Sequence, residues 1–294
     1  MLKWYLKEIF EPTLLFGFLS ALLGISIAVN HGRIDIANSL IVIIGVVLAQ
    51  ISVNTIDDYI DYKKRIDRET TKTRFSGGSA IIVDGHIGAR SVLAIGTVSF
   101  FAALLIGIYL AFSESIIIPF IIIGAFSIIM YANTIVKFPF LSEIFVVLSF
   151  MSIVAGSYVV SSMSASNIYS ALLIGIPIGI SIAMALFVNG IPDAKVDKRY
   201  GRRSTTVIMK TNKIRSYYYL SSVILAYLMI LIAIVSGFIP LYVSVIVLAL
   251  PPVIAVSYGI REYKSPKSFE RFMEMNALFV TEFIILAILG YLIL

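Results

Sequence analysis

Cysteine is absent from this chain of 294 residues. Disulfides, thiol nucleophiles and cysteine-ligated metal sites are therefore excluded together. Charge is also scarce, because Asp, Glu, Lys and Arg make up only 14% of the residues. In contrast, 59% of the residues are hydrophobic and the mean hydropathy is +0.98. A water-soluble domain has no comparable amount of apolar surface to bury, so this composition predicts a protein whose main solvent is lipid.

Long apolar stretches fill most of the sequence, and about 20 apolar residues in a helix suffice to cross a bilayer. The stretches leave no room for a soluble domain, and the first lacks the small-residue cleavage pattern of a signal peptide. We therefore expect an all-α membrane protein with nine transmembrane helices in one bundle, forming a single transmembrane domain over residues 1–294. The predicted spans cover residues 12–30, 36–56, 91–112, 116–133, 141–161, 168–189, 216–236, 240–259 and 276–294.

The basic residues predict the orientation of the bundle, because Lys and Arg near the ends of spans stay on the cytoplasmic side. If the N-terminus is cytoplasmic, every Lys and Arg except Arg33 falls inside. We therefore expect a multi-pass protein of the cell membrane, with a cytoplasmic N-terminus and the C-terminus outside. The net charge of +6 then belongs to a basic face that meets lipid headgroups or an anionic substrate, and it does not indicate nucleic-acid binding.

Two cytoplasmic connections are much longer than the others, at about residues 58–90 and 190–215. Loops of this length are usually functional or disordered, and we predict two cap loops over a site, after helices 2 and 6. Similar motifs precede them, because Asn54-x-x-x-Asp58 closes the second span and Asn189-x-x-x-Asp193 closes the sixth. The two helices lie four spans apart and so run in the same direction, which indicates a parallel four-helix internal repeat of spans 1–4 and 5–8.

The acidic residues of the two motifs recur at helical spacing. Asp57, Asp58 and Asp61 lie at positions i, i+1 and i+4, and Asp193 and Asp197 lie one turn apart. Clustered carboxylates repel one another unless a cation neutralises them, and an all-oxygen cluster suits Mg²⁺, which commonly joins carboxylates to the phosphates of a substrate. We predict one or two Mg²⁺ ions, and the candidate ligands are Asn54, Asp57, Asp58, Asp61, Asn189, Asp193 and Asp197.

Basic residues follow both motifs, where the remaining charge of a diphosphate would need them. These residues are Arg68, Lys72, Arg74, Lys198, Arg202 and Arg203. The turn Gly77-Gly78-Ser79 could also present backbone N–H groups to an anion. A diphosphate at the membrane face of a helical bundle suggests a lipid substrate whose tail lies between the helices. The alternative is that these acids and bases are solvated residues that pair with each other, which a motif repeated in two loops disfavours.

The sequence resembles the UbiA superfamily of intramembrane prenyltransferases over nearly its whole length. Members of that superfamily carry Asp-rich motifs on the second and sixth of nine transmembrane helices, each followed by a capping loop. The matching residues are Asn54, Asp58, Asp61, Asn189, Asp193 and Asp197, with the following run of residues 198–206. The resemblance implies Mg²⁺-dependent transfer of an isoprenyl group, with the four matched Asp residues catalytic and the two Asn residues beside them on the diphosphate.

A narrower similarity is to the dihydroxynaphthoate polyprenyltransferases of menaquinone synthesis, whose first motif commonly reads N-x-x-N-D-Y-x-D. This chain has Asp57 in place of the second Asn, and Glu11-Pro12 where many superfamily members have Arg-Pro. The stretch from Tyr131 through Lys137 to Glu143 is similar to the same branch. It implies a catalytic Tyr131 near the reacting centre and Lys137 on a phosphate.

This resemblance implies an aromatic, quinone-precursor acceptor that attacks the allylic carbocation left when the diphosphate departs. Other acceptors stay open, namely a glyceryl phosphate of ether-lipid synthesis, 4-hydroxybenzoate or haem. An alternative of another class is a transporter for an anion or a lipid. Transporters tend to place ionisable groups near the bilayer midplane, whereas the predicted spans 1–4 and 6–8 carry no internal charge. No motif specifies the acceptor or the length of the prenyl chain.

Overall fold

The computed structural model describes Trp4 and residues 13–293, and Glu11-Pro12 lies outside the described residues. Within them the chain is helical and has no β-strand, as the sequence predicts. The main helices are α1 (Thr13–Asn30), α2 (Ile36–Lys63), α3 (Ala89–Ser113), α4 (Ile118–Met130), α5 (Leu141–Ser162), α6 (Ile168–Asn189), α7 (Asn212–Val235), α8 (Pro251–Arg261) and α9 (Pro266–Leu292). Short helical segments lie between them at Ile66–Glu69, Ser115–Ile117, Ile135–Lys137, Ala194–Arg199, Thr205–Ile208 and Leu241–Ala249.

Several of these helices qualify as membrane spans. Seven are long and apolar enough, namely α1, α2, α3, α5, α6, α7 and α9. The 3₁₀ segment Leu241–Ala249 qualifies together with α8, and the two are bent by 40° at their junction. The segment Ser115–Met130, which includes α4, is apolar but shorter. The part of the chain that the structure describes therefore has seven or eight candidate spans, and the expected total of nine stays a prediction.

Two helices extend well beyond the apolar stretches that predicted them. The helix α2 continues from the expected end at residue 56 to Lys63, so the whole first motif is helical and the first long connection begins at residue 64 instead of about 58. The helix α9 begins at Pro266 instead of 276, because the Ser265 side chain caps it by accepting a hydrogen bond from the Ser268 N–H. Hydropathy predicts only the part of a helix that contacts lipid. Backbone hydrogen bonds can continue the same helix beyond the membrane, where its residues are polar.

Glycines bring the central helices α1, α5 and α6 close together. A Cβ atom built on Gly24 of α1 would lie 2.3 Å from the carbonyl oxygen of Val154 on α5. One built on Gly179 of α6 would lie 2.7 Å from the Cα atom of Val147, also on α5. Small residues at such contacts are the usual means of close helix packing in membranes. The helices α2, α3 and α7 bury much less of their surface and lie at the periphery.

We call the end of the bundle that carries residues 54–61 and 189–197 the motif end. The two long connections meet there, because the Arg199 guanidinium pairs with the Glu69 carboxylate at 2.8 Å. The Tyr200 hydroxyl donates to the same carboxylate at 2.7 Å. A small core beside the bundle combines Ile81, Ile82 and Ile87 of the first connection with Val92 of α3. These contacts join the two connections to each other and pack the first one against α3.

Candidate active site

The two motifs line one and the same cavity, which has a volume of about 840 Å³. It lies between α2, α3, α4, α5 and the motif end of α6. The predicted site residues in its wall are Asn54, Asp57, Asp58, Asp61, Tyr131, Asn189, Asp193, Asp197 and Arg202. Residues more than 130 positions apart in the sequence thus share one space, as the paired motifs predict.

One face of α2 follows the length of the cavity. Its lining residues recur three or four positions apart from Val42 to Asp61, which keeps them on one side of the helix. This stripe is mainly apolar as far as Val53 and polar from Asn54 onward. The Asn54 amide donates a hydrogen bond to the Thr13 hydroxyl at 2.7 Å, which ties α1 to the beginning of the polar part. The cavity therefore has a polar end and a mainly apolar body.

The second motif reaches the cavity where α6 ends. Asp193 comes just before the short helix Ala194–Arg199, and Asp197 lies on that helix. The Asp193 carboxylate accepts a hydrogen bond from the Gly77 N–H at 3.2 Å. Gly77 has a φ angle of 86°, which favours glycine. The turn at Gly77, expected to present N–H groups to an anion, thus contacts the carboxylate of the second motif.

Arg202 joins the two motifs. Its guanidinium donates to the carboxylate of Asp61 on α2 and, at 3.2 Å, to the carboxylate of Asp197. Burial by itself disfavours a charged guanidinium, but the carboxylates of Asp61, Asp57 and Asp197 outweigh it and raise the pKa of Arg202 above its usual value. Arg202 is therefore a permanent positive charge between two groups of acids.

Two other acids at this end of the cavity ionise less readily than an ordinary Asp. Burial, and after it the charge of the neighbouring Asp197 carboxylate, raise the pKa of Asp193 to about 7. Burial likewise raises the pKa of Asp67 to about 7, although Lys72, whose ammonium lies 3.9 Å from its carboxylate, opposes the change. Asp67 was not among the predicted site residues. Nothing in the sequence distinguishes it from Glu69, two positions later, and only the buried position shows that it lines the cavity.

The chemistry of this donor set fits a hard divalent cation. Among the described residues, one carboxylate oxygen of Asp57 is buried and has no hydrogen-bond partner. Six carboxylates, counting Asp67 with those of the motifs, line the same end of the cavity. No three acidic, His or Cys side chains are already gathered as a metal cluster in residues 13–293 and Trp4. A cation with oxygen ligands would relieve the repulsion between these acids and satisfy the unpartnered oxygen.

Only some of the predicted basic residues line the described part of the cavity. Arg202 lines the cavity, as does Arg74, whose guanidinium lies 3.3 Å from the Glu274 carboxylate. The other predicted phosphate ligands are not in the described wall of the cavity, namely Arg68, Lys72, Lys137 and Lys198. The Lys72 ammonium donates to the Gly77 carbonyl, and the Arg68 guanidinium lies 5.4 Å from the centre of the Tyr62 ring. Their roles on a diphosphate stay predictions.

Tyr131 and Glu143 also line the cavity. Tyr131 follows the last turn of α4, and Glu143 lies in the first turn of α5. The Lys64 ammonium donates to the Ala132 carbonyl at 2.9 Å, which ties the end of α2 to this turn. The Ser142 hydroxyl donates to the Glu143 carboxylate at 2.9 Å. The sequence places these residues near the site only through the family resemblance.

Comparison with known proteins adds independent findings. The sequence profile of the UbiA prenyltransferase family matches residues 17–280. The chain is 25% identical over 293 residues to the 1,4-dihydroxy-2-naphthoate octaprenyltransferase of Bacillus subtilis (strain 168), with 96% of this chain and 89% of that protein covered.

Two solved structures share the fold. A digeranylgeranylglyceryl phosphate synthase has a TM-score of 0.68 at 18% identity, over 100% of this chain and 99% of the other. A UbiA homologue from Archaeoglobus fulgidus bound to DMAPP and Mg²⁺ has a TM-score of 0.53 at 14% identity, over 96% of this chain and 98% of the other.

Proposed function

The chain belongs to the UbiA prenyltransferase family, and from this premise we propose that it transfers an isoprenyl group from an isoprenyl diphosphate to an aromatic, quinone-precursor acceptor within the membrane. The observation that carries the proposal is a cavity that joins an acidic end, made by both motifs and Arg202, to a mainly apolar body. A diphosphate held by a cation fits the first part and a hydrocarbon chain fits the second. The naphthoate octaprenyltransferase of Bacillus subtilis supports the aromatic acceptor.

The acidic end is proposed to hold the diphosphate through Mg²⁺. The Archaeoglobus fulgidus homologue bound to DMAPP and Mg²⁺ supports this choice of ion. When bound, Mg²⁺ neutralises the charge that develops on the departing diphosphate. The carboxylates of α2 and of the second motif would hold the ion, and Arg202 would contribute a fixed positive charge beside the phosphate oxygens.

The proposed reaction begins with cleavage of the bond between the allylic carbon C1 and the diphosphate oxygen. Both electrons of that bond leave with the diphosphate, and an allylic cation remains. The acceptor then forms the new carbon–carbon bond to C1 and loses a proton to solvent. The mainly apolar wall from Val42 to Val53 would keep water from the cation, and the aromatic ring of Tyr131 would stabilise its charge.

A glyceryl phosphate of ether-lipid synthesis is the second candidate acceptor, because the chain shares its fold over its full length with a digeranylgeranylglyceryl phosphate synthase. The alternatives 4-hydroxybenzoate and haem require the same chemistry at C1. A transporter would need polar groups along a path through the bundle. In the described residues, however, every charged residue that lines the cavity lies at the motif end or in the two long connections.

The direct test is transfer of a radiolabelled prenyl group by purified protein in detergent. A panel of acceptors, consisting of dihydroxynaphthoate, 4-hydroxybenzoate and a glyceryl phosphate ether, is incubated with geranylgeranyl diphosphate, with Mg²⁺ or with EDTA. We expect a labelled product with dihydroxynaphthoate that requires Mg²⁺. Labelled product with the glyceryl phosphate alone would show that this compound, and not the aromatic one, is the acceptor. Isotope uptake into proteoliposomes without any prenyl transfer would contradict the proposal.

A further inference from the structure

The apolar body of the cavity extends far from the acids. Its deepest wall contains Val42 of α2, Leu110 of α3 and Val160 of α5. Along α2, Val42 precedes Asp58 by sixteen residues, which corresponds to about 24 Å of helix at a rise of about 1.5 Å per residue. The cavity is therefore a chamber that runs along the helices for about 24 Å.

This depth corresponds to a limited number of isoprenyl units. Each unit adds four chain bonds of about 1.5 Å, or roughly 5 Å of extended chain. A chamber of about 24 Å thus takes about four or five units if the diphosphate lies at Asp58. Whatever projects from the wall shortens the usable length.

Two glycines in the wall face open space. A Cβ atom built on Gly124 of α4 would meet nothing within 4 Å, and one built on Gly156 of α5 would meet only the Phe120 ring, at 3.6 Å. The wall glycines Gly45 and Gly107 differ, because a Cβ atom there would lie 2.9 Å and 3.2 Å from isoleucine side chains of neighbouring helices. Close helix packing explains Gly45 and Gly107 but neither Gly124 nor Gly156.

The two glycines lie at different depths. Gly124 precedes Tyr131 by seven residues, which is about 10 Å along α4. Gly156 follows Glu143 by thirteen residues, which is about 20 Å along α5. A side chain at Gly124 would therefore narrow the chamber near its middle, and one at Gly156 would narrow it near its far end.

We propose that Gly124 and Gly156 are specificity-determining residues that keep the chamber open for a prenyl chain of about four or five units. The inference rests on the proposed function, because it requires that the chamber hold the chain of the donor. It assigns the length limit to two positions on α4 and α5, and it predicts that the limit changes in a graded way when they are filled.

The experiment uses Gly124→Leu and Gly156→Leu, with donors of two, three, four and five units. In the wild type, kcat/KM should not fall from the two-unit to the five-unit donor. In Gly156→Leu it should fall about tenfold or more for the five-unit donor only, and in Gly124→Leu it should fall by that factor for every donor above two units. The matched control is Ile122→Phe, which adds bulk to the exposed face of α4, outside the described cavity wall, and should leave the ranking of donors unchanged.

Thermal stabilisation of the protein by the same diphosphates, with Mg²⁺ and without an acceptor, reports binding independently of transfer. In the wild type, the stabilisation should increase with chain length up to four or five units, and in Gly124→Leu the increase should stop at a shorter chain than in Gly156→Leu. This result supports the inference even if no acceptor is prenylated. A lack of prenylation would contradict only the proposed reaction. An unchanged dependence on chain length in both glycine variants overturns the inference while leaving the prenyl transfer intact.

Discussion

Arg202 forms an ion pair with each of the two motifs, since its guanidinium donates to Asp61 and Asp197. Replacing it by Gln leaves these largely buried carboxylates without their positive partner. We expect Arg202→Gln to lower the free energy of unfolding by about 3 kcal/mol without Mg²⁺, because an uncompensated buried charge is costly. Added Mg²⁺ should restore part of this loss. Thermal unfolding of the purified protein, with Mg²⁺ and with EDTA, measures both effects.

The matched control for Arg202 is Arg199→Gln. Arg199 also pairs with a carboxylate, that of Glu69 at 2.8 Å, but the Arg199 side chain is 65% exposed. An exposed pair of this kind contributes little to stability. Equal loss of stability in the two variants would show that the ion pairs of Arg202 contribute no more to stability than the exposed pair of Arg199.

The raised pKa values of Asp67 and Asp193 predict a pH dependence of the metal-free protein. Their pKa is about 7 in the folded chain, against about 3.8 for an ordinary Asp. Folding therefore favours their protonated forms, and this contribution to stability is present below about pH 4 and is lost as the pH rises to about 7. Because Mg²⁺ binds deprotonated carboxylates, stabilisation by Mg²⁺ should increase between pH 6 and pH 8. Melting temperatures that rise from pH 6 to pH 8 in EDTA would contradict this account.

The sequence predicts the acids of the site better than its bases. The positions Asp58 and Asp193 follow from a repeated motif at helical spacing, and the structure brings both to one cavity. A Lys or Arg in a long loop has no such constraint, since its side chain can extend in several directions. Arg202 lines the cavity while Lys198, four residues earlier, does not, and sequence spacing cannot distinguish them.

At the scale of the helices, the contact between α1 and α5 depends on a glycine. A Cβ atom on Gly24 would lie 2.3 Å from the Val154 carbonyl oxygen and 2.7 Å from the Ser157 Cβ atom. We expect Gly24→Leu to cost about 3 kcal/mol or more, or to prevent folding, because backbone cannot move aside as a flexible side chain can. The yield of monodisperse protein in detergent and its melting temperature measure the effect. The same substitution at Gly124, which faces open space, should preserve both, and equal loss at both positions would refute the packing argument.

Helix positions followed from hydropathy, but helix ends and bends did not. The expected spans 141–161 and 168–189 agree closely with α5 and α6, because α5 begins just after Pro139 and polar residues lie at both ends of α6, at Asn167 and Asn189. The expected span 240–259 contains the 3₁₀ segment and the bend before α8. Pro251 and Pro252 lie at that bend and lack the N–H groups that would continue a helix. They are the signal in the sequence that an apolar count ignores.

For the whole molecule, the paired motifs predict that distant segments share one site, and the structure places both motifs in the wall of one cavity. Both motif helices end at the same cavity, as a parallel repeat requires, although the repeat and the cytoplasmic orientation stay predictions. The chamber itself could not be predicted, because its volume depends on how α2, α3, α4 and α5 pack. The acceptor is not predictable for the same reason, since we expect the shape of the cavity wall near Tyr131 and Glu143 to select it.

The central claim is that the two motifs form one Mg²⁺-dependent site for prenyl transfer. The measurement that tests it most directly is the rate of transfer of a radiolabelled prenyl group by Asp58→Asn and Asp193→Asn, with Asp84→Asn as the control. Asp84 is an exposed acid of the first connection and lies outside the described cavity wall. We predict a loss of about a hundredfold or more in kcat/KM for each motif variant, a higher Mg²⁺ requirement for any remaining activity, and no change in the control. Wild-type turnover in either motif variant would contradict the account.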